Sequence, residues 1–138
     1  MKSPLSLSPI LCSPFRNGMN LESYIWEHVK DKIKEKSILA VTSKIVSLAE
    51  GRLLSKKGIS KRALIEQESD HFVCETHHGV CLSIKHGLLI PSAGIDESNS
   101  ESGDYILYPL DPYSSAQKIC DYLKKESSIK ELGVILTD

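Results

Sequence analysis

Leu88-Leu89-Ile90-Pro91-Ser92-Ala93-Gly94-Ile95-Asp96-Glu97-Ser98-Asn99 sets a short apolar run directly against a turn of small residues that ends in two acids, a hydroxyl and an amide. The run Leu88-Leu89-Ile90 reads as a short buried strand. Gly94 permits a backbone conformation or a close approach that a side chain would block. Asp96 and Asn99, three residues apart, suit a hard cation carrying phosphate oxygens. The competing reading is a solvated turn whose Asp, Ser and Asn cap their own backbone.

Working outward, residues 71–76, 79–85 and 88–90 read as three short strands separated by Gly-containing turns. Phe72, Cys74 and Thr76 alternate on the first and Val80, Leu82 and Ile84 on the second, with His77-His78-Gly79 as a hairpin turn. That hairpin competes with a zinc site made from Cys74, His77, His78 and Cys81, and the spacing argues for the hairpin. Residues 58–68 predict a short charged helix with Ile59, Ala63 and Leu64 inward, and Lys56, Lys57, Lys61 and Arg62 on a solvated face. Residues 37–42 predict a strand that delivers Thr42-Ser43-Lys44 into a turn or helix start before Ala49-Glu50-Gly51-Arg52. Hydroxyls and a lysine at the carboxyl end of a buried strand are placed to meet phosphate. No P-loop consensus accompanies them, and the same ending also occurs with no phosphate role.

Towards the N-terminus, Asn20 is placed to cap a helix carrying Leu21, Tyr24, Ile25, Val29 and Ile33 at helical spacing. The Pro- and Ser-rich residues 1–18, with Leu5 and Leu7 alternating, predict an extended strand running into a loop. On the other side of the central turn, residues 105–108 read as a strand. Asp111 and Pro112 then form a cap and first turn for a helix bearing Ala116, Ile119, Cys120 and Leu123. Residues 132–136 read as a buried strand that ends in Thr137-Asp138. Strands and helices are mixed and not strictly alternating, which predicts an α+β fold with a mixed, mostly antiparallel sheet and flanking helices.

The 138 residues have the size of one ordinary domain, with 41% hydrophobic residues. Seventeen basic and eighteen acidic residues are interspersed, so neither nucleic acid nor a membrane surface is favoured as a partner, and small molecules or other protein surfaces are. The apolar runs are too short to span a bilayer, and the N-terminus has no continuous apolar core of a signal peptide, so a cytoplasmic protein is expected. Cys12, Cys74, Cys81 and Cys120 lack a C-x-x-C pair and are expected as reduced thiols.

Four stretches taken together resemble successive blocks of the coenzyme F-420:L-glutamate ligases (F-420-0:gamma-glutamyl ligases). They are Val41-Thr42-Ser43-Lys44-Ile45-Val46-Ser47 with Ala49-Glu50-Gly51-Arg52, Ser92 to Asn99, Pro109-Leu110-Asp111-Pro112 with Ser115-Ala116, and Gly133-Val134-Ile135-Leu136-Thr137-Asp138. The bacterial branch that glutamylates folates is similar too. The resemblance implies the N-terminal portion of that ligase fold, with residues 1–138 a single domain that is incomplete relative to the full-length family enzyme. It implies an amide-forming ligase that uses GTP or ATP with Mg2+ or Mn2+, and K+ beside it, to phosphorylate a substrate carboxylate. The amine of L-glutamate then displaces phosphate from the acyl phosphate. The implied acceptor is a deazaflavin of the F-420-0 type or a folate, and the implied assembly a homodimer. Residue by residue, the resemblance implies metal ligation by Asp96 and Asp138. It implies nucleotide contacts from Ser43, Lys44 and Asn99, and from Cys12, Ser13, Pro14 and Phe15. Leu48 stands where the family commonly has a lysine that approaches the nucleotide. A non-catalytic domain that binds a nucleotide or partner is the second class of function.

Overall fold

A computed structural model of the chain describes residues 5–97 and 103–137. The elements run α1 (Leu21–Val29), β1 (Ser37–Thr42), α2 (Ser43–Ala49), β2 (Leu53–Leu54), α3 (Lys61–Glu68) and β3 (His71–Glu75). After these come β4 (Cys81–Lys85), β5 (Leu88–Pro91), β6 (Tyr105–Ile106), α4 (Pro112–Ser127) and β7 (Leu132–Thr137). The capping signals act where the sequence places them. Asn20 accepts the Ser23 N–H at 2.8 Å, and Asp111 accepts the Ser114 N–H at 2.9 Å with Pro112 behind it. The fold is α+β, but among the described residues the strands form three small sheets and not one mixed sheet.

β1 and β7 pair in parallel, in register from Ser37↔Leu132 to Thr42↔Thr137. Their inner face, Leu39 and Val41 with Leu132, Val134 and Leu136, packs with Leu21, Ile25 and Val29 of α1 and Ile119 and Leu123 of α4 into one core. Their outer face carries Ile38, 70% exposed, and Ile135. A second core joins Leu64 and Ile65 of α3 to Cys81, Ala93, Ile95, Tyr105 and Leu107. It lies against the antiparallel sheet β3-β4-β5. The two-residue strands β2 and β6 form the third, antiparallel sheet. Among the described residues no helix is long and apolar enough to cross a membrane.

Several expectations are corrected. Residues 5–16 form no strand, and Leu5 and Leu7 are each 90% exposed, because no described strand offers them a ladder partner; Ile10 and Phe15 are what packs on the first core. α1 ends at Val29, and the chain reaches Ile33 through a further turn in which Ile33 N–H bonds Val29 O at 3.0 Å. On α3 it is Ile65, not Ala63, that joins Leu64 in the core. β4 faces the opposite way from its apolar alternation: Cys81, Ser83 and Lys85 are buried, while Leu82 and Ile84 are half-buried on the other face. The inward Ser83 and Lys85 are tolerated because each is hydrogen-bonded where it points.

Candidate functional site

The turn after β5 is wound left-handed. Ser92, Ala93 and Gly94 have φ of 52°, 51° and 71°, and Ile95 N–H closes on Ser92 O at 2.9 Å. For non-glycine residues such angles cost about 1–3 kcal/mol each, so the surroundings must impose them. Ser83, fully buried on β4, donates to Ile90 O at 2.9 Å and accepts the Ala93 N–H at 2.8 Å, pinning both ends of the turn. Ala93 fills the second core, and Gly94 lies so close to Tyr108 that an added Cβ would be 2.5 Å from its ring. Both roles foreseen for Gly94, backbone freedom and close approach, are realised.

This turn delivers Asp96. Its backbone is fixed by a reciprocal pair of 2.9 Å hydrogen bonds with Ile106, which leaves the carboxylate as the projecting group. Facing it is Lys44, in the first turn of α2, where Thr42 caps the helix and Ser43 is buried. Lys44 Nζ is 2.6 Å from Asp96 Oδ2, with both side chains 29% exposed. A reachable carboxylate already facing a cation offers the hard oxygen donor that Mg2+ or Mn2+ prefers. Among the described residues no three His, Cys, Asp or Glu groups converge. A single carboxylate such as Asp96 can hold a small divalent ion where water and substrate phosphates supply the other oxygens. Cys74, His77, His78 and Cys81 are not gathered into such a group; His77 and His78 lie exposed on the hairpin, and all four cysteines are free thiols.

Other charged groups of the chain are organised too. Glu97 bonds Lys56 at 3.3 Å and also Lys61; the Lys61 contact first, and Lys56 with it, hold its carboxyl below the usual carboxylate range. Deeper in, Glu68 Oε2 meets Arg52 Nη2 at 2.6 Å and Lys85 Nζ at 2.8 Å, and Lys85 is only 6% exposed. Burial by itself would raise the Glu68 carboxyl, but Lys85 and Arg52 outweigh it and hold the group below its ordinary value. Arg52 also donates to Tyr108 O at 3.1 Å, which braces the segment packed on Gly94. Glu50 accepts from Leu110 N at 2.9 Å and Ser115 Oγ at 2.6 Å. Glu50 and Arg52 therefore build the scaffold. The cavities flanking Glu50, of about 230 and 320 Å³, are not lined by Lys44 or Asp96.

Of the residues singled out from sequence, Lys44 and Asp96 are brought into contact, with Ser43 buried beside Lys44. Thr137 pairs with Thr42, at the strand end that leads into α2. Asn99 and Asp138 lie outside the described residues. The N-terminal group is tied to α1. Ser13 O accepts from Tyr24 Oη at 2.5 Å, the Ser13 N–H meets His28 Nε2 at 3.2 Å, and the Phe15 ring packs edge-on to Tyr24 at 5.0 Å. Cys12 and Pro14 are exposed, and burial, then the nearby Cys12, raises the Tyr24 phenol above its ordinary value. Sequence reasoning missed Ser83, the Arg52–Glu68–Lys85 cluster and the lysines on Glu97. The one signal available was the polar phase Ser83, Lys85 running through an apolar strand.

The first block of sequence touches each of the other three: Lys44 meets Asp96, Glu50 meets Leu110 and Ser115, and Thr42 pairs with Thr137. A model of the family described as F420-0:Gamma-glutamyl ligase matches residues 9–138. The coenzyme F420:L-glutamate ligase of Methanothermobacter thermautotrophicus is 32% identical over 118 aligned residues, covering 73% of this chain and 46% of its own. The enzymes of that name from Archaeoglobus fulgidus and Methanopyrus kandleri are 31% and 29% identical, each covering 89% of this chain and 55% and 54% of their own lengths. The chain spans about half the length of the curated relatives it matches.

Proposed function

We propose a function from one premise: the chain belongs to the F420-0:Gamma-glutamyl ligase family. On this reading it carries nucleotide- and metal-binding groups of a cytoplasmic ligase that joins L-glutamate, through an amide bond, to a carboxylate of F420-0. The terminal phosphoryl group of GTP or ATP passes to that carboxylate, releasing the nucleoside diphosphate. The glutamate nitrogen then attacks the acyl carbon, the C–O bond to phosphate breaks, phosphate leaves, and the nitrogen gives up a proton. The observation that supports this reading most is the Lys44–Asp96 pair at the ends of β1 and of the strained turn.

Asp96 would hold Mg2+ or Mn2+, with Asp138 the second ligand implied by the resemblance and K+ an accessory ion. When bound, the metal neutralises phosphate oxygens. Lys44, on exchanging Asp96 for a phosphate, would act as a compact positive charge, with Ser43, Asn99 and the loop of Cys12, Ser13, Pro14 and Phe15 as further nucleotide contacts. The relatives' names favour F420-0 as acceptor, with a folate as the alternative. The homodimer is part of the same proposal, and the uncovered outer face of β1 and β7, bearing Ile38 and Ile135, is an apolar surface that pairing would cover.

Titration calorimetry of wild type and Asp96→Asn with GTP, with and without Mn2+, tests the premise. Metal-dependent GTP binding is expected for wild type and its loss for the variant, whose circular dichroism should be unchanged because the Ile106 bridge uses only backbone atoms. Equal binding by the variant would remove Asp96 from the site. No metal-dependent nucleotide binding by wild type would overturn the ligase reading. Product mass, with F420-0 and with a folate offered as acceptors, then reads the substrate.

A further inference from the structure

Glu97, next in sequence to Asp96, has a lysine on each carboxylate oxygen: Lys56 Nζ is 3.3 Å from Oε2, and Lys61 Nζ meets Oε1. The two lysines come from different places, Lys56 from the loop after β2 and Lys61 from the first position of α3, which Ser60 caps. Lys56 Nζ also lies 5.1 Å from the ring centroid of the buried Tyr105, which steadies the ammonium against an aromatic surface. The side chains of Lys56, Lys61 and Glu97 are 39%, 42% and 40% exposed, so a solute can reach the pair. At Glu97 two ammonium groups, those of Lys56 and Lys61, face one carboxylate. One ammonium per oxygen is also the geometry that grips a free carboxylate.

We propose that Lys56 and Lys61 form a clamp for a substrate carboxylate, and that Glu97 occupies the clamp until the substrate arrives. Substrate binding exchanges one carboxylate for another and makes or breaks no covalent bond. The inference rests on the ligase reading, which supplies two acids of this chemistry, L-glutamate and the carboxylate-bearing acceptor. A merely structural Glu97 would tie the turn to α3, and its removal would then gain nothing for a ligand.

Isothermal titration of the chain with L-glutamate, and separately with F420-0, would be run on wild type, Glu97→Gln and Lys56→Gln/Lys61→Gln. For one of the acids, Glu97→Gln should bind roughly threefold to fivefold more tightly than wild type, as expected for removing an exposed ion-pair competitor, and the double lysine variant more weakly by at least that factor. The acid that shows these opposite shifts is the clamp's ligand. Affinity that does not rise in Glu97→Gln for either acid, or that is unchanged in the lysine variant, overturns the clamp. Mn2+ with GTP, titrated into the same proteins, reads the premise separately. Nucleotide binding without the opposite shifts overturns the clamp alone; the shifts without nucleotide binding overturn the ligase reading that names its substrate.

Discussion

Gly94→Ala should damage this protein far more than its one added methyl suggests. At φ +71°, an alanine meets the left-handed penalty of about 1–2 kcal/mol. Its Cβ would also lie 2.5 Å from Tyr108 Cδ2, 2.9 Å from Cγ and 3.1 Å from Cβ, so rotating the ring about its own axis cannot clear all three contacts. Overpacking of this kind adds about 1–3 kcal/mol. The sum, about 2–5 kcal/mol, is a large part of the 5–15 kcal/mol that holds a domain folded. At roughly 4 °C per kcal/mol for a chain of this size, the melting temperature should fall by about 8–20 °C. Gly79→Ala is the control: its φ is +75°, but nothing lies within 4 Å, so only the backbone penalty applies. Thermal melts followed by circular dichroism, with Tyr108→Ala as a second background, separate the two terms, since that variant removes the ring and leaves only the contact at Cβ. Equal losses for Gly94→Ala and Gly79→Ala, or a Gly94→Ala loss undiminished beside Tyr108→Ala, would refute the reasoning.

The buried Glu68 cluster predicts acid sensitivity. Its carboxyl is lowered from 4.5, so the folded state binds fewer protons than the unfolded state between the two values; the stability it contributes is full above about pH 4.5 and is lost as pH falls through the folded value. Glu68→Gln takes the opposite charge from Lys85 and Arg52 and leaves Lys85 its bond to the residue-68 main-chain oxygen, which should cost about 1–3 kcal/mol at pH 7, with its urea midpoint approaching that of wild type as pH falls through the folded value; parallel pH profiles would contradict this. Ser83→Ala removes both bonds that pin the strained turn and should cost about 1–3 kcal/mol, read as a shift in urea midpoint at constant slope. An unchanged midpoint would mean that the turn holds its shape without Ser83.

Local signals were legible wherever one residue type has one physical use. Asn20 and Asp111 cap because a short acceptor side chain satisfies a helix N–H, and Pro112 fits a first turn that needs no donor. Gly94 was readable because only glycine tolerates both the angle and the ring above it. Reading failed where a residue's use depends on a partner distant in the chain. The Leu82–Ile84 alternation pointed to the wrong face of β4, because Ser83 and Lys85 turn inward to serve Ala93 and Glu68, groups that period-two patterning does not see. Leu5 and Leu7 alternate like a strand, but no described strand pairs with them.

The sequence by itself determined the family, the α+β class and the order of most elements, because four ordered blocks and the capping residues are local in the chain. Only the tertiary structure decided that Lys44 faces Asp96, that Glu50 and Arg52 serve as scaffold, and that Glu97 sits between two lysines. Each of these contacts joins residues far apart in the chain. Their geometry is set by the parallel pairing of β1 with β7 and by the left-handed turn after β5, which packing imposes against local backbone preference.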